Sequence, residues 1–471
     1  MAERYDIVII GAGPAGYVGA IRAAQLGAKV VIFEKGELGG VCMNVGCIPT
    51  KTLVASAEIL SKIKRSSEFG IDVGGEVKLN FEAMVKRVRR VVEINRGGIR
   101  SLLEKNRINL VEGEATIVGK RKIRVRRKDS LTVGPAEEIF ESERILIATG
   151  SKPMDFAAFP FDGKAVLSSD DFFSMSQVPD SILIIGAGAI GCEFAFILSE
   201  FGCRITIVEM MERALPHEDS EISKVLEREM KKRKIALKTA AKVEGIEKEK
   251  DGRIAAIFSD GSRMVSEKIL VSIGREFNSK GIGLENLNIK IRDNGSVVVG
   301  EGFETSVPGI YAAGDIIGKL MLAHVASAEA IAAVENSLGK NSTLEYESIP
   351  WGIFTSPEIG RVGLTEEEAL KRGIETKTGR FNFRVLGKAH AMGEIEGFVK
   401  IIADGKDDRV IGVHIIGPHA TDLIHEAALA VRWKMTASQV ASLIHTHPTL
   451  SEAVMEAAHD VHGIAIHNPP G

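Results

Sequence analysis

The chain has 471 residues, enough for about three domains, each able to build its own core. Apolar residues make up 45% and charged residues 26%, and a formal charge of -3 gives no reason to expect a polyanionic partner, which speaks against nucleic acid. The longest apolar runs are strand-length, far short of the about 20 residues that span a bilayer, and four cysteines are too few for a disulfide framework, so a membrane span and a stapled scaffold are set aside.

The chain opens Met1-Ala2-Glu3-Arg4-Tyr5 and passes within five residues into an apolar strand, which leaves no room for a signal or transit segment and points to the cytoplasm. The buried-strand run Tyr5-Asp6-Ile7-Val8-Ile9-Ile10 leads into Gly11-Ala12-Gly13-Pro14-Ala15-Gly16, then a helical stretch, then Ala28-Lys29-Val30-Val31-Ile32-Phe33-Glu34. That is one βαβ unit. A GxGxxG between strand and helix turns backbone N–H groups and the helix dipole toward a pyrophosphate, and the acid ending the second strand can take ribose hydroxyls.

Directly after Glu34 comes Gly39-Gly40-Val41-Cys42-Met43-Asn44-Val45-Gly46-Cys47-Ile48-Pro49-Thr50-Lys51, so the two sulfurs fall near whatever the first unit holds. A regular helix would separate Cys42 and Cys47 by about 7.5 Å of rise, while a disulfide wants Cα atoms within about 7 Å, so a distorted turn is expected, with Gly46 easing it. A pair near a helix N-terminus suits a stabilised thiolate and an exchange-competent disulfide. The competing readings are two buried thiols or a metal site, though no further Cys or His stands at ligand spacing here.

Residues 119–128 carry seven basic side chains, but Lys122-Ile123-Arg124-Val125-Arg126 alternates with period two, which reads as the solvated face of a hairpin strand. The βαβ pattern then returns: Ser181-Ile182-Leu183-Ile184-Ile185, Gly186-Ala187-Gly188-Ala189-Ile190-Gly191, a helix, and Arg204-Ile205-Thr206-Ile207-Val208-Glu209. In both copies the acid stands 23 residues after the first glycine, so two dinucleotides are expected. Met210 and Met211 follow Glu209, and a carboxylate with no arginine beside it repels a 2'-phosphate, so the second unit should prefer NAD to NADP, with Arg213 nearby as a reservation. Cys192 and Cys203, in the helix and turn of this unit, read as small buried apolar residues.

Two dinucleotide units with a CxxxxC between them resemble the flavin disulfide reductases. The likeness covers essentially the whole chain and extends through Ala148-Thr149-Gly150-Ser151, Ile273-Gly274-Arg275, Tyr311-Ala312-Ala313-Gly314-Asp315, Met321-Leu322-Ala323-His324 and His445-Thr446-His447-Pro448-Thr449-Leu450-Ser451-Glu452. It implies an α/β fold with two Rossmann-like dinucleotide-binding domains, one for FAD and one for NAD, plus a C-terminal α+β dimerisation domain. The implied division is an FAD-binding part over 1–150, an NAD-binding domain over 151–272, a return to the FAD domain over 273–345 and an interface domain over 346–471. FAD contacts fall on Gly11, Gly13, Gly16, Glu34, Lys51, Gly113, Thr149, Gly150, Ser151, Asp315 and Ala323. NAD contacts fall on Gly186, Gly188, Gly191, Glu193, Glu209, Val243 and Gly274, with Lys51 and Glu193 paired beside the flavin.

Departures narrow the reaction. Relatives that reduce mercuric ion or thioredoxin need a C-terminal cysteine pair, thiol or selenol, and the end of this chain, His462 to Gly471, has none. Relatives that reduce glutathione use basic residues where this chain has Met210 and Met211. The run through Glu452 looks most like members that oxidise dihydrolipoamide and protein-bound dihydrolipoyl groups with NAD, in a 2-oxo acid dehydrogenase complex or the glycine cleavage system. The lipoyl group would then ride on a separate acyltransferase or carrier protein, since no lipoyl domain precedes the first unit. A reductase of a glutathione-like disulfide, and a docking subunit without catalysis, are the rival readings.

In this likeness Cys42 receives the substrate thiolate, Cys47 faces the flavin, and His447 is the base, oriented by Glu452. Pro448 biases His447 toward an extended backbone, and Ser451 or Thr449 can cap the helix that carries Glu452. The base lies about 400 residues from the cysteines, and the likeness places it in the other subunit of a homodimer. His445, His459 and His462 lack tight ligand spacing, so no metal is expected.

Overall fold

A computed structural model of the chain describes residues 4–127 and 137–468. Residues 1–3, Lys128 and residues 469–471, which belong to the termini and the basic run read above, lie outside the described residues. Strand β1 (Arg4–Ile10), helix α1 (Pro14–Gln25) and strand β2 (Val30–Glu34) make the first βαβ unit, with Ile7 opposite Val30 and Ile10 opposite Phe33. Ile7, Val8 and Ile9 are wholly buried, as expected of a parallel sheet covered on both faces, and this is why the strand reads as one apolar run.

Helices α2 (Gly40–Asn44), α3 (Cys47–Lys64) and α4 (Phe81–Lys105) follow, then strands β3 (Asn109–Gly119), β4 (Lys122–Arg127) and β5 (Glu137–Ile147). The long strands each serve two pairings: the start of β3 runs parallel to β2 and its remainder antiparallel to β4, while β5 pairs with β4 and then with β1. In β4 Ile123 and Val125 are buried while Lys122, Arg124 and Arg126 face solvent, and Arg126 pairs with Glu114 at 2.7 Å. The described part of the basic run is therefore the wet face of a hairpin.

The chain crosses through β6 (Ser151–Pro153) and β7 (Val166–Leu167) into the second unit: β8 (Ser181–Ile185), α5 (Ala189–Glu200), β9 (Arg204–Val208), α6 (Ser220–Lys232) and β10 (Ala236–Lys238). An antiparallel meander, β11 (Val243–Lys248), β12 (Ile254–Phe258) and β13 (Arg263–Ser266), covers it before β14 (Lys268–Val271) completes a parallel sheet of order β10-β9-β8-β14-β7. Strand β15 (Arg275–Phe277) pairs with β6, and these two antiparallel strands carry the chain out of the unit and back. Then β16 (Ile310–Ala312) adds to the first sheet beside β5, and α7 (Ala323–Ser337) packs on α1, where Gly19 leaves room for Ala330.

The last part is α+β. Strands β17 (Trp351–Ile353), β18 (Glu358–Gly363), β19 (Thr376–Asn382), β20 (Phe398–Asp404) and β21 (Val410–Gly417) form an antiparallel sheet of order β17-β18-β21-β20-β19. Helices α8 (Glu366–Lys371), α9 (Gly387–Met392), α10 (Ala420–Arg432), α11 (Ala437–Ala441) and α12 (Glu452–Asp460) accompany it. Helix α12 lies so close to β19 that a Cβ on Gly379 would meet the Ala457 carbonyl at 2.1 Å, which fixes the helix carrying Glu452 on the sheet. Among the described residues no helix is long and apolar enough to cross a membrane.

Candidate active site

The two glycine loops are built alike, bond for bond. Gly11 N donates to Phe33 O and Gly186 N to Val208 O, both at 2.8 Å. Gly11 and Gly186 have φ of +99° and +103°, and a Cβ would meet the carbonyls of Ala148 at 2.4 Å and Ser272 at 2.5 Å, so only glycine serves. Each terminal acid straps its loop: Glu34 accepts from Ala12 N at 2.7 Å and Gly36 N at 2.7 Å, and Glu209 from Ala187 N at 2.7 Å and Met211 N at 2.8 Å.

The remaining glycines divide into two kinds. Gly16 and Gly191 lie off the cleft, and a Cβ there would drive into Gly11 O at 1.8 Å and Gly186 O at 2.1 Å; they let helix and strand touch. Gly13 and Gly188 are different. Their φ of -72° and -74° suits any residue, and a Cβ would have only Gly40 Cα at 3.8 Å in one case and no described atom within 4 Å in the other. Among the described residues nothing requires glycine at these two positions, and both border the cleft, so their bareness fits a group brought hard against the N-termini of α1 and α5, as a dinucleotide pyrophosphate is.

Between the loops runs one cleft of about 1230 Å³, bordered by both glycine loops, both acids, Met210, Met211 and the cysteines. Gly113, Val243, Gly274 and Ala323, assigned only through the family likeness, also border it. So do Thr149, Gly150, Ser151 and Asp315, held as a set: Arg275 Nε donates to Ser151 Oγ at 2.7 Å, Ser151 Oγ donates to Asp315 at 2.5 Å, and Asn278 exchanges hydrogen bonds with Thr149. Arg275 and Asn278 were not singled out from sequence as site residues, although Arg275 stands in a quoted motif; their work is to brace the 149–151 turn across 124 or more positions. Arg213 is turned away, with its guanidinium on Glu367 at 3.0 Å and on the carbonyls of Pro216 and Glu218, which removes the reservation about a 2'-phosphate.

The expected distortion between the cysteines is a break between two helices. Helix α2 ends at Asn44, α3 starts at Cys47, and Gly46 folds against the first helix so tightly that a Cβ would meet Val41 O at 3.0 Å and Cys42 Cα at 3.3 Å. Cys42 and Cys47 are free thiols, and Cys47 opens the first turn of an 18-residue helix. The hydrogen bond from Cys42 holds the Cys47 thiol below its ordinary range, with help from the Lys51 ammonium against the effect of burial, while the same bond and burial push Cys42 up. Lys51 lies one helical turn on, its ammonium on both Glu193 oxygens at 2.9 and 2.8 Å and 4.3 Å from the Phe354 ring centroid. Glu193 is buried and also accepts from Phe354 N at 2.9 Å, so a residue of the last domain finishes the pair. Cys192 and Cys203 are buried as expected, and burial raises both thiols, Cys203 to about 12.

His447 and Glu452 stand apart from the cleft lining. His447 Nδ1 meets Glu452 Oε1 at 2.8 Å, leaving its exposed ring to present Nε2 outward, and the second Glu452 oxygen accepts from Thr449 N at 2.8 Å. Burial would raise the Glu452 carboxyl, but these two bonds outweigh it and hold the group below its ordinary value. The capping expectation fails: Ser451 has helical φ and ψ and makes no side-chain cap bond, because Thr449 Oγ binds Thr446 O and Ser451 Oγ instead. His445 binds Glu426 at 2.9 Å and His462 Nε2 lies 3.2 Å from Asp408. Among the described residues no three His, Cys, Asp or Glu side chains are grouped to hold a metal.

A thiol pair set between two strapped dinucleotide loops is the centre of a disulfide oxidoreductase that works with nucleotides. Residues 5–330 match the family described as pyridine nucleotide-disulphide oxidoreductase, and residues 349–458 match its dimerisation domain. The chain belongs to this family and is an oxidoreductase that uses FAD and NAD. It is 44% identical to a dihydrolipoyl dehydrogenase of Bacillus subtilis, over 99% of this chain and 100% of that protein, and 37% identical to one of Chlamydia pneumoniae, over 100% of both. The crystal structure of LpdA from Mycobacterium tuberculosis superposes with a TM-score of 0.90 at 27% identity, covering 97% of this chain and 99% of that one.

Proposed function

We propose that the chain is an NAD-linked dihydrolipoyl dehydrogenase, which oxidises protein-bound dihydrolipoyl groups to the cyclic disulfide. The observation that carries this reading is the Cys42 and Cys47 pair on the wall of a cleft that both nucleotide loops border. FAD is assigned to the first loop, with Gly11, Gly13, Glu34, Lys51, Gly113, Thr149, Gly150, Ser151, Asp315 and Ala323 around it, and NAD to the second, with Gly186, Gly188, Glu193, Glu209, Val243 and Gly274. Gly16 and Gly191 support these loops from behind. The four-part division at 150, 272 and 345 is the domain scheme that goes with this assignment. Exposed Met210 and Met211 and the engaged Arg213 support NAD over NADP.

The chain's own groups supply thiol chemistry. With Cys42 and Cys47 oxidised to a disulfide, His447 Nε2 takes the proton of a dihydrolipoyl thiol, and the thiolate attacks Cys42 Sγ, breaking the Cys42–Cys47 bond and releasing Cys47 as a thiolate. The second substrate sulfur displaces Cys42 and closes the lipoyl disulfide, leaving a thiol at Cys42 and the thiolate at Cys47 that Lys51 and the hydrogen bond from Cys42 stabilise. Bound FAD and NAD supply an electron-pair acceptor and a hydride acceptor that restore the disulfide. Glu452 keeps the His447 ring oriented and stabilises its cation.

Because His447 lies off the cleft, its action on Cys42 is assigned to the opposite subunit of a homodimer, in keeping with the family's dimerisation domain. The substrate arrives on a lipoylated acyltransferase or glycine-cleavage carrier protein, in the cytoplasm. The test is to supply dihydrolipoamide with NAD or NADP, and separately glutathione disulfide with NADPH. NADH formation with dihydrolipoamide, absent in Cys47→Ser, is expected; turnover of glutathione disulfide by NADPH with none of dihydrolipoamide would overturn the substrate and nucleotide assignments.

A further inference from the structure

Glu329 is wholly buried on α7, in a helix otherwise rich in alanine, and no step above uses it. Its carboxylate spans two segments. Oε2 accepts from the Gly314 amide at 2.8 Å, and Oε1 accepts from the Tyr346 hydroxyl at 2.6 Å. Gly314 is the residue before Asp315, at φ of +80°, pressed between Ala15 of α1 and Ala326 of α7 so that a Cβ would meet their methyl carbons at 3.1 and 3.2 Å. The turn is thus held from behind by one buried side chain while Asp315 faces the cleft.

Tyr346 belongs to the stretch that leads into the last domain. Its neighbours are tied to that domain: Glu345 pairs with Arg432 of α10, and Glu347 pairs with Arg372, next to α8, at 2.8 Å. The Lys319 ammonium sits 4.3 Å from the Tyr346 ring centroid. A buried carboxylate that accepts two donors is a demanding element to keep unless both partners are required, since loss of either leaves a desolvated charge short of a bond.

We infer that Glu329 and Tyr346 form a strut that holds the Gly314–Asp315 turn in its flavin-binding shape and ties flavin retention to the seating of the C-terminal domain. This rests on the assignment of FAD to the first loop. Glu329 is a positioning residue: it acts on the flavin site through Gly314 and Asp315. The groups facing it are Tyr346, Lys319 and Asp315; burial, with the Asp315 charge adding to it, lifts its carboxyl to about 7 against the opposing pull of the Tyr346 and Gly314 bonds and the Lys319 ammonium. As an anion it accepts from both partners. Once protonated, its own hydrogen competes with one of the two donors, so the turn loosens as pH falls through that range.

The test is the rate of flavin release from purified holoenzyme on dilution, followed by flavin fluorescence from pH 6 to 8.5, in wild type, Glu329→Gln and Tyr346→Phe. Wild type should release flavin about tenfold faster at pH 6 than at pH 8. Glu329→Gln keeps an acceptor for Gly314 but, like the protonated acid, sets a donor against the Tyr346 hydroxyl, so it should fold, release flavin at the wild type's acid rate at every pH and lose the pH dependence. Tyr346→Phe should release flavin about tenfold faster above pH 7, the loss of one hydrogen bond to a charged group. An unchanged acid acceleration in Glu329→Gln would overturn the inference, as would wild-type release rates in both variants. A wild-type protein that takes up no flavin would overturn the cofactor assignment and this inference with it.

Discussion

Cys47, Lys51 and Glu193 show how one side chain sets the reactivity of another across the chain. The Cys47 thiol is lowered first by the bond from Cys42 and then by Lys51, so its thiolate persists to lower pH than an ordinary thiol, and removing either cause moves the transition up. Lys51→Met should therefore shift the pH profile of Cys47 alkylation by iodoacetamide in the reduced protein to higher pH, and slow labelling at pH 7; an unmoved profile would show that the helix terminus and Cys42 suffice. At the other pole, His447→Ala should lower dihydrolipoamide oxidation by about 10²- to 10⁴-fold, the usual worth of a general base, while hydride transfer from NADH to an artificial acceptor persists, as steady-state rates with the two assays would show. These residues were legible because chemistry restricts them to few types in a fixed order. The failed cap at Ser451 was not, because two hydroxyls and a carbonyl compete locally for the same bonds, and sequence does not rank them.

The two glycine loops divide their work between packing a helix on its strand and leaving space for a ligand. Four of their glycines look the same in sequence, yet Gly191 serves packing and Gly188 serves space. Gly188→Ala should leave thermal stability within about 0.5 kcal/mol and weaken NAD binding, whereas Gly191→Ala, with a Cβ 2.1 Å from Gly186 O, should lower the melting temperature. Calorimetry and nucleotide titration on the two variants separate the roles. The doubly wound units were readable from strand, loop, helix and acid in order, because buried parallel strands and helix N-termini impose those residue types. Glu329 was invisible for the opposite reason: one of two acids in an alanine-rich helix signals nothing until the turn it supports is seen above it.

At the scale of the whole molecule, the nucleotide domain and the C-terminal domain meet through buried charge. Lys400 of β20, itself 3% exposed, reaches Asp219 at 3.0 Å and Glu221 at 2.7 Å at the start of α6, and also pairs with Glu366. Arg361 of β18 donates to His217 O at 2.5 Å, and Trp351 donates to Glu218 at 2.9 Å, so the segment after Glu209 that borders the cleft is anchored on the last sheet. Lys400→Met would strand Asp219 without its cation and should cost about 3 kcal/mol or more, read from denaturant unfolding. None of this was legible in the sequence, since the partners that join the two domains lie between 133 and 181 positions apart, and Lys400, Asp219 and Glu221 each look like an ordinary surface charge.

The most direct test uses no pyridine nucleotide at all. Air-oxidised holoenzyme is mixed anaerobically with one equivalent of dihydrolipoamide, the thiols are trapped with an alkylating agent, and the labelled cysteines are located by mass spectrometry. New labels on Cys42 and Cys47, with Cys192 and Cys203 unchanged, are expected if the pair receives electrons from the dithiol. A protein whose Cys42 and Cys47 labelling is the same before and after dihydrolipoamide would contradict it.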